Sequence, residues 1–217
     1  MARSLRYDLG ACSRHDSPKR PRGVSTLLLI NPNTRQSVTA LLHEHAFAAA
    51  PAGGQVFAMT AVFGARCIPG EPSATVAAHA VLDAYAAHVA AHGEPGAVLI
   101  ACFGDPGLLA LRELTAVPVF GLAEASMRAA GVEGRYDIAT GGVHWPAMLR
   151  RLTWSLGLLE PLAGIVTVER SGAELAADPP SESGAAVPAC QRKPRWQLRV
   201  RWFRAGNGPR RQADRPS

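Results

Sequence analysis

From Ser25 to Glu169 the chain repeats one pattern: a short apolar run, a turn of small polar residues, then a longer stretch with helical spacing. The apolar runs STLLLI (25–30), QVFAMTA (55–61), AVLIACF (97–103), PVFG (118–121), YDIATGG (136–142) and AGIVTVE (163–169) have the length and bounding turns of buried strands. Helical stretches fall between them. Residues 35–50 place Val38, Leu41, Leu42 and Phe47 on an apolar side, and Ala-rich 75–93 closes on Gly93. After Cys102, Asp105 is a suitable N-cap with Pro106 at the first helical position, and Leu108, Leu109, Leu111 and Leu114 form the apolar side. Residues 122–130 and 144–158 complete the set. Strands alternating with helices predict an α/β fold with a parallel sheet and flanking helices.

The pattern does not extend to the ends. Residues 1–25 carry six Lys/Arg against two Asp/Glu, without periodicity, and read as a disordered extension. Residues 179–217 carry nine against two, with six prolines, and also read as disordered. Residues 26–178 hold eight basic and thirteen acidic residues, so the net charge of +6 belongs to the ends. A nucleic-acid footprint is therefore not expected on the folded part. A weaker alternative is stacking and phosphate contact by Trp196, Trp202 and Phe203 among the tail arginines.

The pattern stops at Asp178, which leaves the second lobe short of at least one strand, and the body is rich in Ala, Arg and Gly without lysine. This composition suggests GC-rich coding and a frameshifted C-terminus, which the coding DNA around codon 178 tests. No stretch matches a signal-peptide core or a bilayer span, which predicts a cytoplasmic protein without a membrane partner. Cys12, Cys67, Cys102 and Cys190 form no CxxC pair, so neither a metal site nor a disulfide framework is expected.

In a parallel α/β sheet, sites lie beyond the carboxyl ends of the strands. INPNT (30–34), Cys102 with Gly104, and Thr140-Gly141-Gly142 fall there. These stretches, with ACFGDPGL (101–108), VPVFGLAEASM (117–127), DIATGG (137–142), HWPAMLRR (144–151) and ELAADP (174–179), resemble the Asp/Glu racemase superfamily in its hydantoin racemase branch. The resemblance covers about residues 26–179. It implies two pseudo-symmetric α/β lobes, 26–115 and an incomplete 116–178, with the site in the cleft between them. It also implies cofactor-independent racemisation of a small molecule (a hydantoin, ureide or amino acid) and leaves self-association open. Members of the family use a cysteine from each lobe. Cys102 matches the first; the second would follow the last strand of the second lobe. Some relatives carry a glycine-rich motif there instead.

Racemisation removes a proton from one face of a carbon and delivers one to the other. Placed before a helix N-terminus, the Cys102 thiol would be biased toward thiolate. A buried structural cysteine is the alternative. Asn31, Asn33 and Thr34 could stabilise an enolate through amide and hydroxyl donors, or form an Asn-Pro turn. Thr140 and Gly141 could add donors from the second lobe, or form an ordinary strand-to-helix turn. Gly104 lets the chain turn beside the thiol and is counted with the substrate-binding positions. Asp105 is expected to cap, Glu124 to order the cleft or cap, and His144 to be structural more often than catalytic. Cys67 reads as incidental, and Cys190 is not taken as the second base. The competing functions are a one-cysteine decarboxylase or isomerase of the same superfamily, and an inactive or binding protein with a basic tail.

Overall fold

A computed structural model of the chain describes residues 26–168. Cys12, Cys190, both basic ends and the break expected at Asp178 lie outside the described residues.

Six strands and five helices follow one another: β1 (Thr26–Asn31), α1 (Gln36–Ala49), β2 (Gln55–Thr60), α2 (Glu71–His92), β3 (Ala97–Ile100), α3 (Leu108–Leu114), β4 (Val119–Gly121), α4 (Leu122–Glu133), β5 (Tyr136–Gly141), α5 (Trp145–Ser155) and β6 (Leu162–Val168). β1 to β4 form one sheet in the order β2-β1-β3-β4, and β5 pairs with β6. All pairings are parallel, as the alternation requires. The expected α/β fold with flanking helices is therefore what the chain adopts.

Two cores follow from the two sheets. Leu28, Ile30, Val98 and Ile100 of the first sheet pack with Val81 and Tyr85 of α2 and with Leu108 and Leu111 of α3. Fully burying such a side chain contributes about 2 kcal/mol. The second core joins Ala123 and Met127 of α4, Tyr136 and Ile138 of β5, and Leu149 of α5. We call the two bodies lobes. β4 hydrogen-bonds β3, so the first sheet runs past the boundary expected at 115/116, and the buried members of the second core begin at α4.

Several local expectations are corrected. α1 does not bury an apolar side: Leu41 and Phe47 are exposed, and its buried residue is Thr39. The reason is polar. The Thr39 hydroxyl meets the Thr60 hydroxyl at 2.6 Å and accepts from Asn31 Nδ2 at 3.0 Å. α2 begins at Glu71 rather than at 75, because Ser73 folds back on Gly70, its hydroxyl donating to the Gly70 carbonyl at 2.7 Å. α3 begins at Leu108, behind Gly107 in the left-handed region, and not at Asp105–Pro106. The Asp105 side chain has another partner.

Candidate active site

The β1 turn is fixed by its own side chains. Asn31 is fully buried, and its Nδ2 donates to Asn33 Oδ1, the Arg35 carbonyl and Thr39 Oγ1 at 3.0–3.2 Å. Its Oδ1 accepts from the Asn33 N–H at 3.2 Å. Asn33 Oδ1 accepts from the Arg35 N–H at 2.9 Å, and the Asn33 amide nitrogen takes no part in these bonds. Asn31 is thus committed to the turn, while Asn33 and Thr34 are only half-buried.

The sheet order sets this turn between the loops that follow β2 and β3. The β2 loop leans on it, with the Thr34 N–H on the Ala65 carbonyl at 3.2 Å. Cys67 is exposed on that loop. On the other side the Ala101 N–H reaches the Ile30 carbonyl at 2.8 Å, and Cys102 follows, half-buried.

The corner at residues 102–105 is bolted to the second lobe. Phe103 packs into the second core. Asp105 is 3% exposed with φ +46, and its carboxylate accepts the Ala123 N–H at 2.9 Å and the Glu124 N–H at 2.8 Å. It therefore caps α4, across the lobes, and not the helix that follows it. Gly121 makes this possible, because a Cβ there would fall on the Asp105 carboxyl group. Gly104 has a similar cause. Its backbone is not left-handed, and a Cβ would come within 2.5 Å of Trp145 Cζ3, so the glycine makes room for the indole and is not needed for the turn.

The expected thiolate bias at Cys102 is not found. Part of the residue's surface is open, but burial pushes its thiol up to about 12, and the Asp105 carboxylate and Cys67 push the same way. The helix expected to lower it starts later, and the N–H groups of α4 serve Asp105 instead. Burial likewise raises the Asp105 carboxyl to about 6, against the two N–H bonds that favour its charge. Both shifts favour the protonated form of the group, so the Cys102 thiol is not biased toward thiolate.

The second lobe faces this corner through the β5–α5 turn. Thr140 is half-buried, Gly141 is buried, and Gly142 has φ +94 with its carbonyl 3.4 Å from the Trp145 N–H. His144 is exposed, and its ring lies against Gly70, where a Cβ would be 3.5 Å from Cδ2. Arg151 pairs with Glu71 at 2.5 Å, both partly exposed. The structure thus gathers Cys102, Gly104, Asp105, the β1 turn and the β5–α5 turn at one end of the sheets. Glu124 is turned elsewhere. Its nearly buried carboxylate pairs with Arg112 at 2.5 Å and Arg128 at 2.9 Å. The hollow lined by Arg112, Phe120, Glu124, Ala125 and Arg128 lies on that flank and holds none of the candidate groups.

Sequence reasoning missed Phe103, Trp145 and Gly121 as parts of the site; only the glycines beside them hinted at close approach. No group of three or more His, Cys, Asp or Glu residues that could hold a metal occurs among the described residues. No described helix is long and apolar enough to cross a membrane.

A parallel α/β fold with a cysteine held where two lobes meet is the class the geometry defines. The family model for Asp/Glu/hydantoin racemases matches residues 27–193, and the chain belongs to that family. The match runs past Asp178. Within the family the chain falls in the hydantoin racemase branch. It is 30% identical over 154 residues to a hydantoin racemase of Pseudomonas sp. (strain NS671), covering 70% of this chain and 60% of the relative. A hydantoin racemase of Paenarthrobacter aurescens is 34% identical over 101 residues, 46% of this chain and 42% of its own. The allantoin racemase structure from Klebsiella pneumoniae superposes with TM-score 0.64 at 32% identity, covering 72% of this chain and 62% of that one. The chain thus spans less than two thirds of the length of these relatives.

Proposed function

We propose that the chain is a cofactor-independent racemase of hydantoins, allantoin-like ureides or related amino-acid derivatives, with Cys102 transferring the proton at the carbon next to a carbonyl. The observation that carries this reading is the placement of Cys102: a thiol at the exit of β3, immobilised by Phe103 and Asp105, beside the β1 turn and facing the second lobe. Cys102 acts in its thiol form on one face of the substrate, and a second group exchanges the proton on the other. Asn33, Thr34, Thr140 and the Gly141–Gly142 backbone are the donors suited to the enolate oxygen. A free, reduced Cys102 suits a cytoplasmic location.

The test is incubation of the full chain with an optically pure 5-substituted hydantoin, and separately with allantoin, in deuterated buffer. The expected result is loss of optical rotation with solvent deuterium at the stereocentre, abolished in Cys102→Ser. No exchange with either compound refutes the racemase.

The raised Cys102 thiol favours one further reading. A thiol protonated at neutral pH is equipped to quench a carbanion formed by loss of CO2, which needs a single donor. Release of CO2 from a substituted malonate, without exchange in hydantoins, would support that one-cysteine decarboxylase.

A further inference from the structure

The β1 turn ends on a cation that nothing in the fold explains. Arg35 directly follows Asn33-Thr34, and its main chain is held at both ends: its N–H by Asn33 Oδ1 at 2.9 Å, its carbonyl by Asn31 Nδ2 at 3.1 Å. Its side chain, in contrast, carries a buried Nε with no hydrogen-bond partner. A buried donor left unpaired costs about 1–3 kcal/mol, and more on a charged group. Native structures keep such groups rarely, and each calls for an explanation. A local carboxylate does not supply one. The first turn of α1, which Arg35 precedes, holds no acidic residue. Among the described residues, the arginines in ion pairs are Arg112, Arg128 and Arg151, each with a glutamate. Arg35 therefore follows the carboxyl end of β1 with its main chain held and, among the described residues, no ion-pair partner for its guanidinium.

We propose that Arg35 is a substrate-anchoring residue of the racemase site, binding a planar oxyanion of the substrate through its guanidinium. The inference rests on the racemase reading and narrows its substrate class. The guanidinium fork matches two oxygens of a planar anion, and Lys cannot reproduce that geometry. Two sources present an oxyanion. One is a carboxylate already on the substrate, as in an N-carbamoyl amino acid. The other is the enolate oxygen that gains charge when the carbon beside a carbonyl is deprotonated, a single acceptor that one N–H of the fork would meet.

The experiment compares Arg35→Met and Arg35→Lys with the full wild-type chain, using a hydantoin and its ring-opened N-carbamoyl amino acid. Kinetics are read as KM and kcat separately. A carboxylate anchor predicts a KM rise of about 10- to 100-fold in Arg35→Met. An enolate anchor predicts a fall in kcat of about 100-fold with KM little changed. Either result supports the proposal, and Arg35→Lys should fall between wild type and Arg35→Met. A second measurement needs no turnover: protection of Cys102 from iodoacetamide at pH 9 by the N-carbamoyl amino acid, present in wild type and lost in Arg35→Met. Circular dichroism melting confirms that the variants fold. Wild-type KM, kcat and protection in folded Arg35→Met overturn the proposal and leave the racemase standing. Arg35-dependent protection in a chain that turns over neither compound keeps the anchor and refutes the racemase. A wild-type chain with neither turnover nor protection overturns both.

Discussion

The Asp105–Gly121 contact makes a sharp prediction. Gly121→Ala places a methyl on the Asp105 carboxyl group. That carboxyl has no room to retreat: Asp105 is 3% exposed, and Phe103 fixes its loop in the second core. Overpacking alone costs about 1–3 kcal/mol. If the carboxylate is pushed off α4 instead, the N–H groups of Ala123 and Glu124 are left unpaired, at about 1–3 kcal/mol each. The expected destabilisation is about 3–5 kcal/mol. Asp105→Gly also loses both cap bonds, but it relieves a non-glycine residue at φ +46, which returns about 1 kcal/mol. Its net cost is about 1–5 kcal/mol. In that background the methyl added by Gly121→Ala enters vacated space and costs under about 1 kcal/mol. The double-mutant cycle should therefore show a coupling of about 2–4 kcal/mol, with the double variant more stable than the single costs imply. Urea unfolding followed by circular dichroism measures all four corners. Additive costs, to within about 0.5 kcal/mol, would refute the assignment of Asp105 as the cross-lobe cap.

Other expectations follow from the same packing. Iodoacetamide labelling of Cys102, in a Cys67→Ser background, should keep accelerating beyond pH 10, and Asp105→Asn should move the rise to lower pH because a repelling charge is gone; a plateau near pH 8 in the unmodified site contradicts this. Glu124→Gln should cost about 1–3 kcal/mol, since the nearly buried carboxylate joins Arg112 and Arg128, while Arg128→Ala, more than half exposed, should cost under about 1 kcal/mol; thermal melts compare them. His88 is 2% exposed with an unpaired Nδ1, and burial, then the neighbouring His92, hold it below the usual histidine range. Its contribution is full above the unfolded value of about 6.5 and is lost as the pH falls through the depressed folded value. The urea midpoint should therefore drop from pH 7 to 5, and less steeply in His88→Leu; equal slopes would contradict the assignment.

What was legible in the sequence was local. Apolar runs such as TLLLI and AVLI mark strands because both faces of a parallel sheet are buried, and the turns after them mark the site end. What was not legible depends on partners distant in sequence. Asp105 has every local feature of an N-cap, yet its acceptors are used by a helix 18–19 residues further on. Leu41 and Phe47 suggest a buried face, but a hydroxyl cluster around Thr39 decides how α1 sits. The protonation of Cys102 is set by what surrounds it in space, and a one-dimensional pattern carries no measure of desolvation.

The junction at Gly121–Leu122 has a mechanical consequence. The chain passes from the first sheet to α4 without a linker, and Asp105 grips the same helix end from the other side. The two lobes hence share a pivot, and Cys102 lies three residues from it. Glu71–Arg151 is the clasp, exposed on the outside and weak enough to release. The lobes are thus held at two unequal points, a buried carboxylate cap beside Cys102 and an exposed ion pair at the rim. Loosening the exposed pair would leave the Cys102 corner gripped by the cap.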